Sequence, residues 1–482
     1  MKKLLIFTLL IAFGIGSLLA STKKAPEQAE HYAIEIDAPQ MKNNTVNLVM
    51  YFYGKMYAVD TIQLNDAGKG TFAKDKKLSE GMYAVYFPNI TYFDLLISDD
   101  QDFKVAISDT ANMVTNVNIL NGEQSQAFQD YVKYVYNNRI EIGKLKENFD
   151  KIEDKTSAEA LGIEKKINEI DMAVSTYQKN LAESYKGKAL GVILKALIPV
   201  EVPEMEELPD SIRQISRYYY NRNHFFDNTD LSDQRLLYTN ILSGKIDMFM
   251  DKMLVQNPDT IADQAVKLIE KTRGDTLTFQ NMVTNMLNYA LKSNMMGMDK
   301  MTMVISEKYY LSGEAKWADS TLLADLDREV RAVKYNQIGA SAPNLFVETF
   351  DGKRISLSDI PQDYILIAFY EPGCGHCKKE MPKLYKEVYQ KYKGDNFFEV
   401  FAFYIYEDKE EWKKFIDEHG LYDWVNVWDP KRESNHWYFY DVRTTPGMYL
   451  LNKERKIIAK KINLETLDMI LESEKTSKSP KG

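Results

Sequence analysis

The stretch Ile365-Leu366-Ile367-Ala368-Phe369-Tyr370-Glu371-Pro372-Gly373-Cys374-Gly375-His376-Cys377-Lys378-Lys379-Glu380-Met381-Pro382 decides how this sequence is read. Its first six residues are continuously apolar, as a central strand buried on both faces requires. Glu371-Pro372-Gly373 breaks that run. From Cys374 to Tyr392 the pattern turns amphipathic, with Cys377, Met381, Leu384, Tyr385, Val388 and Tyr392 on one side of a helix. Pro382 is expected to kink this helix. The two cysteines here are the only ones among 482 residues. A disulfide closing so short a loop constrains the unfolded chain by only about 2 kcal/mol, less than a long loop would give. Reactivity explains the pair better than stapling. An inert disulfide and a metal site are the competing readings, and the second is short of ligands: two thiols and one His lack a clear fourth. Residue 378 is Lys, so the Cys-x-x-Cys-His haem attachment pattern is absent.

The first turn of a helix presents unpaired N–H groups and a positive dipole end, which favour a thiolate at Cys374. Cys377, one turn further and facing inward, is placed to capture a mixed disulfide. His376 between them would, as imidazolium, stabilise the Cys374 thiolate and with it the reduced form; an exposed His with little effect is the plainer alternative. Glu380, three residues after Cys377, can approach that thiol from beneath, or simply be solvated in the Lys-Lys-Glu run. Glu371 and Lys379 read as surface charges.

Outward from this stretch, Phe397 to Tyr406 reads as a second central strand and Asp408 to His419 as a helix. Gly447 to Leu451 and Lys456 to Ile462 read as a hairpin, and Leu464 to Glu472 as a last helix. The predicted order is strand–helix–strand–helix–strand–strand–helix. Upstream, Gly339-Ala340-Ser341-Ala342-Pro343 is a connector. Residues 122–335 carry helical periodicity, as at Phe128, Tyr131, Val132, Val135 and Tyr136. The methionines between Met282 and Met303 read as helix core, and Tyr218-Tyr219-Tyr220 with His224, Phe225 and Phe226 as packing. Residues 31–118 alternate at period two, as at Val46, Leu48, Met50 and Phe52, between turn-forming segments. The expected fold is multidomain: an all-β sandwich at 31–118, an all-α helical domain at 122–335 and an α/β domain at 336–475.

Lys2 and Lys3, the apolar stretch Leu4 to Leu19, and Ala20-Ser21 mark residues 1–20 as an export signal. Leu18 sits where a small residue is expected, which leaves an uncleaved N-terminal anchor as the alternative. No other apolar run reaches the ~20 residues that cross a bilayer. A formal charge of −9 and a pI near 5.4 argue against a nucleic-acid partner.

The motifs resemble the thioredoxin fold, specifically the exported ResA/TlpA-like thiol–disulfide oxidoreductases, over about residues 336–475. The likeness rests on Gly339…Ala342-Pro343-Asn344 with Asp351-Gly352-Lys353 and Ile355 to Asp359, on the Phe369–Pro382 stretch, and on Thr444-Thr445-Pro446. It implies a dithiol/disulfide at Cys374 and Cys377, no cofactor, and protein thiols or disulfides as substrates with a redox partner protein. It implies that Pro446 is cis and that the Thr445 backbone faces the active site, where an extended substrate segment pairs. It also implies that Glu380, the glutamate of the Cys-Lys-Lys-Glu run, handles the proton of the resolving cysteine. The Gly-His dipeptide resembles that of protein disulfide isomerase, so reduction and oxidation or isomerisation both stay open. Two residues depart from the pattern. Gly373 stands where an aromatic often precedes the first cysteine, and Ala368 where classical thioredoxins bury an acid. The peroxiredoxin Pro-x-x-x-Thr-x-x-Cys pattern is absent, since residue 367 is Ile and residue 371 is Glu. The upstream regions resemble, more weakly, uncharacterised domains that precede such modules in Bacteroidetes-type exported proteins. The expected activity is periplasmic dithiol–disulfide exchange. The alternative is a cell-envelope scaffold in which the thioredoxin module is secondary.

Overall fold

The computed structural model describes residues 31–88 and 91–478. The export-signal reading of residues 1–20 lies outside the described residues. The chain divides into two compact units. Among the described residues, one holds 31–50 with those of 57–174; the other holds Tyr51–Met56 and 175–478.

In the first unit, strands β1 (Tyr32–Asp37), β4 (Lys69–Lys74), β7 (Asp102–Ile107) and β8 (Val117–Leu120) form one sheet in the order β4-β1-β7-β8. β2 (Thr45–Phe52), β3 (Lys55–Gln63), β5 (Gly81–Tyr86) and β6 (Tyr92–Ile97) form the other, ordered β3-β2-β5-β6. Ile34, Ile36, Phe72 and Val105 from one sheet share a core with Leu48, Tyr83, Val85 and Leu95 from the other. This is the sandwich that the period-two alternation predicts. Helix α1 (Glu123–Lys151) docks by its first turns, where Phe128 is buried and Ser125 Oγ donates to the Leu96 carbonyl at 2.7 Å. The helical stretch is divided: α1 and the first part of α2 (Ala158–Ser184) go with the sandwich, and the later helices with the second unit.

Those later helices are α3 (Ala189–Leu197), α4 (Asp210–His224), α5 (Ile241–Met248), α6 (Pro258–Glu270), α7 (Thr276–Lys292), α8 (Asp299–Ile305) and α9 (Ser320–Val333). Asn257, Asp275 and Asp319 cap α6, α7 and α9 by accepting backbone N–H bonds. Met282, Met286, Met298 and Met301 are buried, as helix core. Tyr218 and Tyr219, read as packing, are instead exposed, and α4 buries none of its residues.

The α/β domain is a seven-stranded sheet in the order β10-β9-β13-β12-β11-β14-β15. Its strands are β9 (Phe346–Thr349), β10 (Arg354–Ser356), β11 (Tyr364–Tyr370), β12 (Phe398–Tyr404), β13 (Val425–Trp428), β14 (Gly447–Leu451) and β15 (Ile457–Lys460). β11, β12 and β13 run parallel, and β14 is antiparallel to β11. The predicted order omits β9, β10 and β13; runs of three or four residues are too short for periodicity to reveal. β11 is buried along its whole length. Leu366, Ala368 and Tyr370 face α10 (Gly375–Lys383), α11 (Lys409–His419) and α12 (Leu464–Lys478) through Cys377, Met381, Trp412 and Leu467. Ile365, Ile367 and Phe369 face a second core with Leu345, Tyr440 and Tyr449. Pro382 lies in the last turn of α10, and the chain continues through a wide turn, Leu384–Tyr389. The ring supplies no N–H and crowds the preceding turn, so the helix widens there.

Helix α9 holds the loop before β14. Arg443 Nη1 and Nη2 donate to the Glu329 carboxylate at 2.6 and 3.0 Å. Its Nε and Nη2 donate to Asp441 at 2.7 and 2.9 Å, and Lys461 Nζ adds a third bond at 2.7 Å. Burial opposes ionisation of Asp441, but the bonds from Arg443 and Lys461 hold its carboxyl well below the usual range. Asp441→Ala strips a buried carboxylate from two cations, so a loss of about 3 kcal/mol is expected in denaturant unfolding. The folded-state pKa lies below the unfolded one. This stabilisation is therefore complete above about pH 4. It is lost as pH falls toward the depressed value, and the variant should lack that share of acid sensitivity.

Candidate active site

β11 ends at Tyr370, and the turn Glu371–Cys374 closes with the Cys374 N–H donating to the Glu371 carbonyl at 3.3 Å. Cys374 is the N-cap of α10. The strand thus delivers the first sulfur to the mouth of a helix, where amides are free to face it. Cys374 is partly exposed; Cys377 is fully buried against Leu366, Ala368 and Met381. Both are free thiols. A Cβ placed on Gly373 or on Gly375 would meet nothing within 4 Å, so open space lies beside both glycines.

The two thiols are driven in opposite directions. Burial pushes the Cys374 pKa up. It is outweighed by hydrogen bonds from the Thr445 hydroxyl, the Cys377 and His376 backbone amides and the Cys377 thiol, and the net shift is downward. Burial dominates at Cys377 and lifts its thiol to about 12, against smaller opposing bonds from the Glu371 backbone and Thr445. A Cys374 thiolate raises Cys377 further.

The Thr445–Pro446 peptide is cis. Cys374 Sγ donates to the Thr445 carbonyl at 3.4 Å, and Thr445 Oγ1 donates to Glu371 Oε1 at 3.1 Å. Cys374, Cys377, Thr445 and Pro446 therefore come together. His376 is adjacent, its side chain is exposed, and its backbone amide is among the groups that lower the Cys374 pKa. Glu380 is about a third exposed, with Lys383 Nζ 4.0 Å away, and it is not among the strongest influences on either sulfur. Glu371, read as a surface charge, is instead built into the site through its carbonyl, its backbone and its carboxylate. It also acts on Tyr406, whose phenol pKa its charge and hydrogen bond raise. No local pattern marks Glu371, because its partner Thr445 is distant in sequence.

Behind β11, Asp429, Ser434 and His436 form a buried polar cluster that superficially matches a nucleophilic triad. Ser434 Oγ donates to Asp429 Oδ2 at 2.5 Å and lies 3.3 Å from His436 Nδ1. Serine and aspartate thus share one side of the ring, which is not the relay order of a hydrolase. Burial lowers the His436 pKa to about 4, more than Asp429 raises it. Among the described residues, no group of three or more His, Cys, Asp or Glu converges to hold a metal ion.

The description of the AhpC/TSA family matches residues 338–460, and that of a domain of unknown function, DUF5106, matches residues 155–338. The thiol-disulfide oxidoreductase ResA of Bacillus thuringiensis (strain Al Hakam) is 30% identical over 134 residues, covering 28% of this chain and 75% of that protein. ResA of Bacillus subtilis (strain 168) is 32% identical over 120 residues, 25% of this chain and 64% of that protein. Among solved structures, a domain of a possible thiol-disulfide isomerase from Cytophaga hutchinsonii is 36% identical, covering 29% of this chain and 94% of that chain with a TM-score of 0.27. A thioredoxin-like protein from Bacteroides caccae is 20% identical, covering 57% and 97% with a TM-score of 0.42. With its paired thiols at the carboxyl end of a central strand, the chain belongs to the ResA family of thiol-disulfide oxidoreductases and carries a thioredoxin-like domain at its C-terminus.

Proposed function

We propose that this protein is an exported, periplasmic enzyme that exchanges its Cys374–Cys377 dithiol with the disulfides of other proteins. The observation that carries this reading is the opposite displacement of the two thiols. One is accessible and acidified; the other is sealed and held protonated. That asymmetry assigns Cys374 as attacker and Cys377 as resolver. The Cys374 thiolate breaks a substrate disulfide and forms a mixed disulfide, releasing one substrate thiolate. Cys377 then displaces the second, leaving the protein oxidised. A redox partner protein returns the two electrons, and the opposite direction uses the same steps in reverse. The Thr445 backbone, before Pro446, is the edge on which an extended substrate segment lies. His376 contributes through its amide. The N-terminal pattern of Lys2, Lys3 and the apolar stretch after them supports export.

Cys374→Ser is expected to abolish insulin-disulfide reduction, a loss of at least ~10³-fold. Cys377→Ser should instead accumulate a mixed disulfide on Cys374, visible by mass spectrometry. Were a variant lacking both sulfurs to keep its envelope phenotype and partner binding, the scaffold reading would replace this one. The rate of iodoacetamide labelling of Cys374 should half-saturate below the free-cysteine value of about 8.5. Titration against glutathione fixes the direction. A potential near −180 mV marks an oxidant or isomerase, and one near −270 mV a reductant, on the scale set by roughly those values for disulfide isomerase and thioredoxin.

A further inference from the structure

Residues 441–446 lead into the redox site, yet they belong to no helix or strand. No ladder of backbone bonds fixes them, and side chains do so instead. Within the α/β domain the anchor is Asp441. Its N–H donates to Tyr449 Oη at 2.8 Å, and its carboxylate takes Lys461 at 2.7 Å and Arg443 at 2.7 and 2.9 Å. Asp441 occupies only one edge of the Arg443 guanidinium. On the other edge, Nη1 and Nη2 meet both oxygens of Glu329 at 2.6 and 3.0 Å. Glu329 stands on α9, outside the α/β domain and 114 residues earlier in the chain. A planar fork matches a carboxylate with two parallel bonds, so the pair fixes direction as well as distance. The same end of α9 meets this part of the chain twice more. Tyr335 Oη lies 2.9 Å from Tyr438 Oη, and Asn336 Nδ2 donates to the Phe439 carbonyl at 2.9 Å. Two residues past Arg443, the Thr445 carbonyl lies 3.4 Å from Cys374 Sγ. The Thr445 hydroxyl, bonded to Glu371 at 3.1 Å, holds the stretch from the strand side. Glu329 holds it from the helix side.

We propose that Glu329 is a positioning residue of the redox site: through Arg443 it keeps the Thr445 main chain in the course that receives an extended substrate segment, so the helices before the α/β domain take part in substrate choice. The inference rests on the exchange reading above, and within it on the edge at Thr445. Glu329 and Asp441 have separate tasks. Asp441 is buried and holds the fold of the loop. The side chains of Arg443 and Glu329 are 40% and 45% exposed, so their pair adds little to global stability. What it adds is restraint on one short stretch. An extended segment gains most from an edge that is already ordered; where binding must order the edge, that entropy is subtracted from affinity. A small disulfide reaches Cys374 without lying along Thr445 and draws nothing from this order.

The test uses the full-length reduced protein and two mixed disulfides of nitrothiobenzoate. One partner is an extended peptide with a central cysteine; the other is a cysteine capped at both ends, with no flanking residues. Both release the same coloured thiolate, so they differ only in the backbone beside the sulfur. The readout is the ratio of the two second-order rate constants, peptide over capped cysteine. The parent ratio should exceed one. Glu329→Gln, which keeps the shape and removes the charge, should lower it about three- to fivefold, with the capped-cysteine constant moving by less than about twofold. Arg443→Gln should lower it as far or further. Adding Glu329→Gln to Arg443→Gln should lower it no more, since Glu329 acts through Arg443. Asp327→Asn removes the partner of Arg331 at 2.8 Å on the same helix and should leave the ratio as it is. An unchanged ratio in Glu329→Gln overturns the proposal. So does an equal fall in both constants, which marks general damage to the site, and so does an additive loss in the double variant. A parent ratio of one takes away the edge at Thr445 and the proposal with it. A parent protein that reacts with neither disulfide removes the exchange reading itself.

Discussion

Phe369 and Gly447 are antiparallel partners in the sheet, and the two loops that meet over the sulfurs continue from these two strands. Glu371 to Cys374 follows β11, and Thr444 to Pro446 precedes β14. The pairing places the Thr445 carbonyl 3.4 Å from the outer sulfur and its hydroxyl 3.1 Å from Glu371. A slip of one residue would turn every β14 side chain to the opposite face. Leu450, now in the core beside α10 and α12, would change places with Leu451 and Tyr449. The site geometry is therefore protected by the same burial that stabilises the sheet.

Two further constraints act on that pairing. From one side, Trp412 fills the space under β11 and ties its indole to Tyr370, so α11 is keyed to the strand that ends at the active site. From the other, Glu329 of α9 reaches Arg443, two residues before Thr445, while Lys460 at the end of β15 is buried and bonded to Asn336 with Asp299 as its ion partner. Burial lowers the Lys460 pKa against the pull of Asp299. A charged side chain so enclosed persists only where its partners are fixed. The helices before the α/β domain thus brace the hairpin that carries the loop.

The central strand, the helix that follows it and the all-β character of the first unit were legible from sequence because each has a long, clean signal. β11 is an uninterrupted apolar run, and α10 begins where the cysteine spacing places both sulfurs on adjoining turns. What stayed hidden is non-local or directional. Glu371 sits before a proline in an ordinary turn, and only folding brings Thr445 to it. Spacing puts Glu380 on the Cys377 side of the helix, but a long side chain has several rotamers and Lys383 lies one turn away. His376 stands out by residue type, while the contribution of its backbone amide to Cys374 has no signature in the sequence. The division of the helical stretch between two units was also invisible, since an apolar helix face does not say which surface it will cover.

The open space beside Gly373 and Gly375 carries a consequence for what those two positions can hold. A methyl group at either position would meet no neighbour, whereas another side of the sulfur is closed by Thr445, whose carbonyl lies 3.4 Å away. The main chain on the glycine side can therefore accept a side chain without displacing anything, while the chain at Thr445 is held in place by the bond of its hydroxyl to Glu371.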